Sequence, residues 1–467
     1  MLPRVAVLAA AAPPDAALRP ALLALLVGLR RKGFRNLVCN RVAVACPLPP
    51  AAIYPATNVP LQRLPATWQE DSQRARRWLA QQPERRLEEL LSGAFSPTGE
   101  ARILLDARGL PPMHNGTSQA ILGFLDGFAR LQRTGFELHV VATREAAAFH
   151  GLQRRLRMAQ LHDDRPTGTY AAALLLNQPW TLQQLRELHQ TAFLLGFNIL
   201  DSIASDVVYA APDGLEQVWR WTAALSDMLF FISAFSRDRF RFRFRVATDM
   251  PLVVTYLSLS LAELNLTDPD PRLFDEPYIL VIGNNYDHKD IAGTVARLAD
   301  AFPYTRIVTV GADAGATQTA RVTSMPSGRL DAARIASLEA YATAIVFPSF
   351  YEGFGLPVVQ GLARGRTVIT RRSPLWEEIA GLADLPGHLV CFEDEPTLIE
   401  AVGRALHGEP PHALSGRLAD APPPPDWAHC ADHMLRQIEQ SLQPGARHAW
   451  YQRDLILAPA AGGEDAP

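Results

Sequence analysis

The chain has 467 residues and a mass of 51.3 kDa, more than one ordinary hydrophobic core organises, so two or three domains are expected. Hydrophobic residues make up 48% and charged residues 20%, the balance of a soluble globular protein, and a formal net charge of -3 excludes a globally basic nucleic-acid binder. Cys39, Cys46, Cys391 and Cys430 show no CxxC pairing, which argues against a zinc site or a disulfide framework and fits a reducing cytoplasm.

In chain order, the early stretch AVLAAAAPPDAALRPALLALLVGL is cut by Pro13, Pro14, Asp15, Arg19 and Pro20, so it reads as neither a signal peptide nor a membrane span. Val5–Ala9 reads as a short strand and Pro20–Arg31 as a buried helix, and SQRARRWLAQQPERRLEELLSG is helical by pattern. Residues 1–95 are taken as an N-terminal extension of unknown role. A fresh start follows at ARILLDARGL, an apolar run ending in Asp106. Strand-like runs (FELHVVAT, YAAALLL, LGFNILD, MLFFIS) then alternate with helical segments, the pattern of βαβ units and a parallel sheet over residues 96–265. The segment around Asp268, Pro269, Asp270 and Pro271 reads as a linker. A second alternating series over 272–443 contains YILVIGN, RIVTVGA, AIVFPS, TVITR and HLVCF, and the Ala/Gly/Pro-rich residues 444–467 read as a disordered tail. The expected fold is α/β, with two doubly wound Rossmann-like domains facing a cleft.

Open parallel sheets bind ligands outside the carboxyl ends of their strands. Three strand exits carry suitable chemistry. In LLDARGLPPMHNGTSQAILGFL, the residues Asn115, Gly116, Thr117 and Ser118 open a helix; they form either an anion-holding helix start or an ordinary N-capped turn. In YILVIGNNYDHKD, a strand ends at Gly283, and His288 and Lys289 follow; Lys289 suits a phosphate oxygen, or is a solvated loop lysine. In FPSFYEGFGLPVVQGLARG, Glu352 precedes a turn through Gly353 and Gly355 into a helix whose N-terminus favours negative charge, with Gln360 about two helical turns on. The stretch SRDRFRFRFRV, a solvated helix end or a basic-aromatic face for an anionic membrane, adds a further candidate surface.

The third exit, continuing as PSFYEGFGLPVVQGLARGRTVITRRSPLWEEIAG, resembles the donor-site signature of the family-four retaining glycosyltransferases, which have the GT-B fold. The resemblance extends over about residues 102–442 and includes PDWAHCADHMLRQIEQSL, similar to the family's closing helix. It implies that Glu352 and Lys289 are the catalytic pair, Glu352 holding the donor sugar and Lys289 the diphosphate. It implies further that Gly353, Phe354, Gly355 and Leu356 lie with their backbone against sugar and diphosphate. Gln360 stands where the family has a second Glu for the ribose, and His288 where an Arg is common; Gly116 matches the first-loop glycine, and Gly283 ends the strand before the lysine. Leu200-Asp201 replaces a His-Asp pair, so Asp201, with Asn115 and Thr117, is the expected acceptor side.

The implied activity is transfer of a hexose, with retention, from a nucleotide-sugar donor to a glycan or lipid-linked acceptor in bacterial surface polysaccharide synthesis. No metal and no cofactor beyond the co-substrate is expected, since Asp-x-Asp occurs only at Asp268–Asp270 within the Pro-rich linker. The expected location is cytoplasmic, with peripheral contact at the inner membrane face, and no nucleic-acid partner. Two other functions stay open: a non-catalytic sugar-nucleotide or glycan-binding subunit, and a GT-B-like epimerase or phosphorylase.

Overall fold

A computed structural model describes residue 78 and residues 81–457, apart from 132, 157–158, 208–211, 265–266, 312–319, 327–329, 410–411, 415–422 and 444–445. The Val5–Ala9 and Pro20–Arg31 readings therefore lie outside the described residues. The first sheet contains β1 (Ala101–Asp106), β2 (Phe136–Ala142), β3 (Gln160–Asp163), β4 (Tyr170–Leu175), β5 (Ala192–Ile199), β6 (Met228–Phe231) and β7 (Leu252–Val254). All pairings are parallel, in the order β3-β2-β1-β4-β5-β6-β7. Every residue of β4, β5 and β6 is buried, as strands covered by helices on both faces must be.

The helices of this half are α1 (Pro83–Gly93), α2 (Gly116–Arg130), α3 (Arg144–His150), α4 (Leu152–Arg155), α5 (Leu182–Thr191), α6 (Ile203–Asp206), α7 (Leu215–Leu225) and α8 (Ala234–Arg243). The second sheet has β8 (Tyr278–Ile282), β9 (Arg306–Gly311), β10 (Val322–Pro326), β11 (Ala344–Phe347), β12 (Thr367–Arg371) and β13 (His388–Phe392), in the parallel order β10-β9-β8-β11-β12-β13. Its helices are α9 (Ile291–Ala301), α10 (Ala332–Tyr341), α11 (Leu356–Ala363), α12 (Pro374–Leu382) and α13 (Glu395–Leu406), followed by α14 (Trp427–Ser441) and α15 (Ala446–Leu457). Both sheets reverse strand order beside their first strand, at β1/β4 and at β8/β11, where crevices open in doubly wound folds. The two doubly wound units expected from the sequence are thus present.

Three boundaries differ from the reading of the sequence. Residues 83–95 are not a separate extension: α1 packs on β4 and β5, and Leu87, Leu90 and Ala94 are buried in the core of the first domain. Helix α14 lies within the segment assigned to the second domain, yet it packs on α2 and touches β5 and β6. Gly123 and Gly127 of α2 leave the space that Trp427 fills, and the Trp427 ring meets Phe124 edge-on at 5.4 Å.

The tail is also corrected, because residues 446–457 form α15 with Trp450, Arg453, Asp454, Ile456 and Leu457 buried. Arg453 is fully buried and pairs with Asp227 at 2.6 Å, while Asp454 accepts from Trp78 and pairs with Arg86 and His189. Burial holds His189 down at about 4. Such a cluster stays in place because each charge has a partner; removing one would leave the other uncompensated.

The Arg/Phe stretch is helical, as α8, and its rings divide: Phe240 and Phe244 are buried and Phe242 is 80% exposed. Arg239 and Arg243 both pair with Asp206. Among the described residues no helix is long and apolar enough to cross a membrane.

Candidate active site

The carboxyl ends of the two sheets meet. Strand β5 ends at Ile199 and hands Leu200, Asp201 and Ser202 to the interface; β6 delivers Ile232 and Ser233, the N-cap of α8. From the opposite sheet β11 delivers Phe350 to Gly355 and then α11, while β8 delivers the loop ending in the 3-10 turn Asp287–Lys289.

Gly353 is the point of closest approach. A Cβ there would lie 2.5 Å from the Leu200 carbonyl oxygen and 3.0 Å from the Asp201 Cβ, so only glycine allows the two segments to touch. The Gly353 carbonyl accepts from the Ser233 hydroxyl at 2.7 Å and from the Ser236 hydroxyl at 3.2 Å. Glu378 of α12 reaches across and accepts from the Ala234 and Phe235 N–H groups, at 2.5 and 3.0 Å, capping α8 with a charge from the other domain.

Gly355 has φ +81° and is the N-cap of α11, with no side-chain cap. Val358 and Val359 both donate to its carbonyl, and Pro357 has no N–H. The N–H groups of Gly353, Phe354, Gly355 and Leu356 have no partner among the described residues. A run of open N–H groups at a helix start is an anion cradle. The Phe354 and Leu356 side chains are buried, so their contribution to such a cradle is through the backbone.

Lys289 and Glu352 form an ion pair, both side chains 14% exposed, and the Lys289 ammonium also stands 5.4 Å from the centre of the Phe347 ring. Asp201 of the facing domain belongs to the same charge cluster. Burial raises its carboxyl to about 6; Glu352 adds to the rise, while the Ile203 N–H and Lys289 oppose it. Asp201 stood among the expected acceptor-side residues, and the structure brings it beside both Glu352 and Lys289.

His288 is only partly buried, stacks on Tyr286 and is held at about 4 by burial and by Lys289, so it is neutral at pH 7 and supplies no second cation. Gly283 follows β8 directly and lies against Ile291, whose Cδ1 would lie 2.6 Å from an added Cβ. Gln360 is partly buried on α11, and its side-chain amide has no partner among the described residues.

The first-loop residues make a cap of their own. Asn115 caps α2 in a reciprocal box with Ser118, at 2.8 Å each way, the ordinary N-cap alternative. Gly116 has open space where a Cβ would stand, and Thr117 is partly buried in the first turn. No hydrogen bond or ion pair joins Asn115 or Thr117 to Lys289, Glu352 or Asp201 among the described residues.

The sequence reading missed the groups that join the two walls: Tyr351, Ser233, Ser236 and Glu378. Tyr351 lies inside the quoted motif and Glu378 inside PLWEEIAG, but their partners come from the other domain, so no local spacing marks them. Among the described residues no group of three or more His, Cys, Asp and Glu side chains is placed to hold a metal ion.

No protein-family model matches the chain, and no curated protein matches it. Solved structures do resemble it. Sucrose-phosphate synthase from Thermosynechococcus elongatus is 17% identical, covers 76% of this chain and 98% of its own, and has a TM-score of 0.46. HepE of Anabaena, in complex with UDP and glucose, is 13% identical, with 76% and 96% covered and a TM-score of 0.44. UDP-GlcNAc 2-epimerase from Neisseria meningitidis, bound to UDP-GlcNAc, is 14% identical, with 73% and 98% covered and a TM-score of 0.42. At these values the likenesses carry no functional assignment; the site itself must.

Proposed function

We propose that this chain is a glycosyltransferase that moves a sugar from a nucleotide-sugar donor to a glycan or lipid-linked acceptor at the interface of its two domains. The observation that supports it most is the open N–H run from Gly353 to Leu356, lying beside the Lys289–Glu352 pair and facing Asp201. The N–H run and Lys289 suit a diphosphate, and Glu352 suits sugar hydroxyls, since its Oε2 has no partner among the described residues.

Cleavage of the sugar–phosphate bond builds negative charge on the leaving diphosphate and positive charge on the ring. The cradle and Lys289 would stabilise the former before reaction begins, and the carboxylates of Glu352 and Asp201 the latter. When diphosphate takes over Lys289, Glu352 is released toward the sugar. The facing wall excludes water, which limits donor hydrolysis. A hexose donor, retention of configuration by front-face attack with the leaving phosphate as base, and a role in surface polysaccharide synthesis are parts of the proposal that rest on the motif resemblance.

A thermal-shift screen with UDP-, GDP- and dTDP-sugars, followed by turnover of Glu352→Gln with the donor that binds, tests it. The expected outcome is retained nucleotide affinity with turnover reduced at least tenfold. Absence of binding by the wild type at millimolar ligand would defeat the reading. A trapped glycosyl–Glu352 adduct would instead make Glu352 a nucleophile. Tight binding without turnover would favour the binding-subunit alternative.

A further inference from the structure

We infer that Tyr351 and Ser202 form a clamp across the two domains that positions Asp201 against Glu352. This inference rests on the proposed transferase reading and adds positioning residues to it. The two residues occupy matched places: Tyr351 immediately precedes Glu352, and Ser202 immediately follows Asp201. Their side-chain oxygens meet at 3.1 Å, so a hydrogen bond ties the residue before one site carboxylate to the residue after the other.

The clamp is anchored on both sides. The Ser202 hydroxyl is fully buried and donates to Asp206 at 3.0 Å, and the Tyr351 hydroxyl reaches Asp206 and Arg239 as well as Ser202, so the tyrosine is tied to one polar cluster of the facing domain. Asp206 is fixed by Arg239 and Arg243 from α8, each at 2.9 Å. The Tyr351 hydroxyl is largely shielded from water, which keeps it protonated and a donor, and its ring packs on Phe235 of the facing domain at 5.6 Å. Thus α6 and α8 of the first domain hold a tyrosine of the second by a chain of polar groups.

Contacts that only joined the domains would not need this placement. The Ser233, Ser236 and Glu378 contacts already do that, through Gly353 and the start of α8. What Tyr351 and Ser202 add is control of the two residues next to them. The diphosphate cradle and Lys289 lie wholly in the second domain, so loss of the clamp leaves nucleotide binding in place. It lets Asp201 drift from Glu352, which slows transfer and admits water.

The test is a double-mutant cycle of Tyr351→Phe, Ser202→Ala and the pair, on the full chain. Three readouts are taken: nucleoside diphosphate affinity, kcat for transfer, and the ratio of donor hydrolysis to transfer. Each single variant is expected to keep nucleotide affinity within about threefold and raise the hydrolysis ratio, Tyr351→Phe losing about tenfold in kcat, with the double variant no worse than Tyr351→Phe alone. Additive losses, or a wild-type hydrolysis ratio in Tyr351→Phe, would overturn the clamp while leaving the transferase reading intact. Failure of the wild type to bind any nucleotide would overturn both. Thermal unfolding of the variants separates a positioning effect from a folding defect, since a clamp lost with an unchanged Tm still changes the hydrolysis ratio.

Discussion

On one wall of the interface Glu352, Gly353, Phe354, Gly355 and Leu356 are five consecutive residues at the turn from β11 into α11. On the facing wall Leu200, Asp201 and Ser202 come from the exit of β5, and Ser233 and Ser236 from the exit of β6 and the start of α8. The first wall holds its open N–H groups through one turn, whose shape the two glycines set. The second owes its geometry to the register between β5 and β6, with Gly196 opposite Met228 and Ile199 opposite Phe231, and to the contacts it makes with the first. A wall made of one turn can bind a ligand alone; a wall made of separate strand exits is correct only when docked. Binding should therefore follow the first wall, and turnover should need both.

The sharpest break of that division is Lys289→Ala. It removes the one lysine of the cluster and leaves Glu352 without its ion-pair partner at 14% exposure. The expected loss is about 2–4 kcal/mol of transition-state stabilisation, roughly 30- to 1000-fold in kcat/KM, with much of it in kcat. Steady-state kinetics with the bound donor check it; a wild-type kcat/KM would make Lys289 a surface residue.

Gly353→Ala tests the contact between the walls. The new Cβ would press on the Leu200 carbonyl, on Asp201 and, at 3.4 Å, on Ile232. Overpacking of this kind costs about 1–3 kcal/mol, which here should separate the domains and lower kcat on the order of 10- to 100-fold. Nucleoside diphosphate affinity, measured by calorimetry, should stay within about threefold. An equal loss of affinity would show that the two walls bind the nucleotide together.

This asymmetry also explains what the sequence made legible. The turn between β11 and α11 is local, so its glycines, Glu352 and helix start could be read from spacing alone. The central strands could be read too, because burial on both faces leaves continuous apolar runs such as YAAALL and AFLLGFNI. Strands β3, β7 and β10 escaped notice. They are sheet edges, short or polar, as in QLHD, LVV and VTSMP, and carry no such run, whereas the edge strand β13 keeps the apolar HLVCF and was legible. The return of α14 and α15 to the first domain depends on contacts far apart in sequence, among them Trp427 with Gly123 and Arg453 with Asp227. Composition suggested a disordered tail because Ala and Pro beyond residue 457 diluted the helical pattern of ARHAWYQRDLIL.

Asp201→Asn sharpens the comparison on the facing wall. With its carboxyl raised from 3.8 to about 6, the folded protein disfavours the ionised form. Below about pH 4 the penalty is absent. As pH rises the unfolded chain ionises first, stability falls, and the cost is fully present above pH 6. The whole shift corresponds to about 3 kcal/mol, and water access to a partly buried side chain reduces this to about 1–2 kcal/mol. The amide carries no charge at any pH, so the variant should melt a few degrees higher at pH 7.5 and unchanged at pH 4. Its turnover should be lower, and should lack the wild-type rise with pH through about 6 that marks ionisation of Asp201. Scanning calorimetry and a pH–rate profile check both halves; a lower Tm at pH 7.5 would contradict the burial argument.

The smallest effect belongs to Gln360, on the wall that binds alone. A carboxylate accepting from ribose hydroxyls is worth roughly 1.5–3 kcal/mol, and a neutral amide about 0.5–1.5 kcal/mol. The deficit caused by the amide is thus on the order of 1 kcal/mol, less than tenfold in affinity. The amide also brings an NH2 donor, which can serve a hydroxyl oxygen where a carboxylate cannot. Its side chain has no partner among the described residues, so Gln360→Glu breaks no contact within the protein. What it adds is a third carboxylate after Glu352 and Asp201, placed on a partly buried helix face on the same element as the anion cradle. Repulsion of the diphosphate therefore offsets part of the gain toward the ribose. The net expectation is a change of less than tenfold, tighter for nucleosides than for nucleoside diphosphates. Titration of both proteins with a nucleoside and its diphosphate decides it: a gain of a hundredfold or more for either ligand would mean that the amide had been disabling the site.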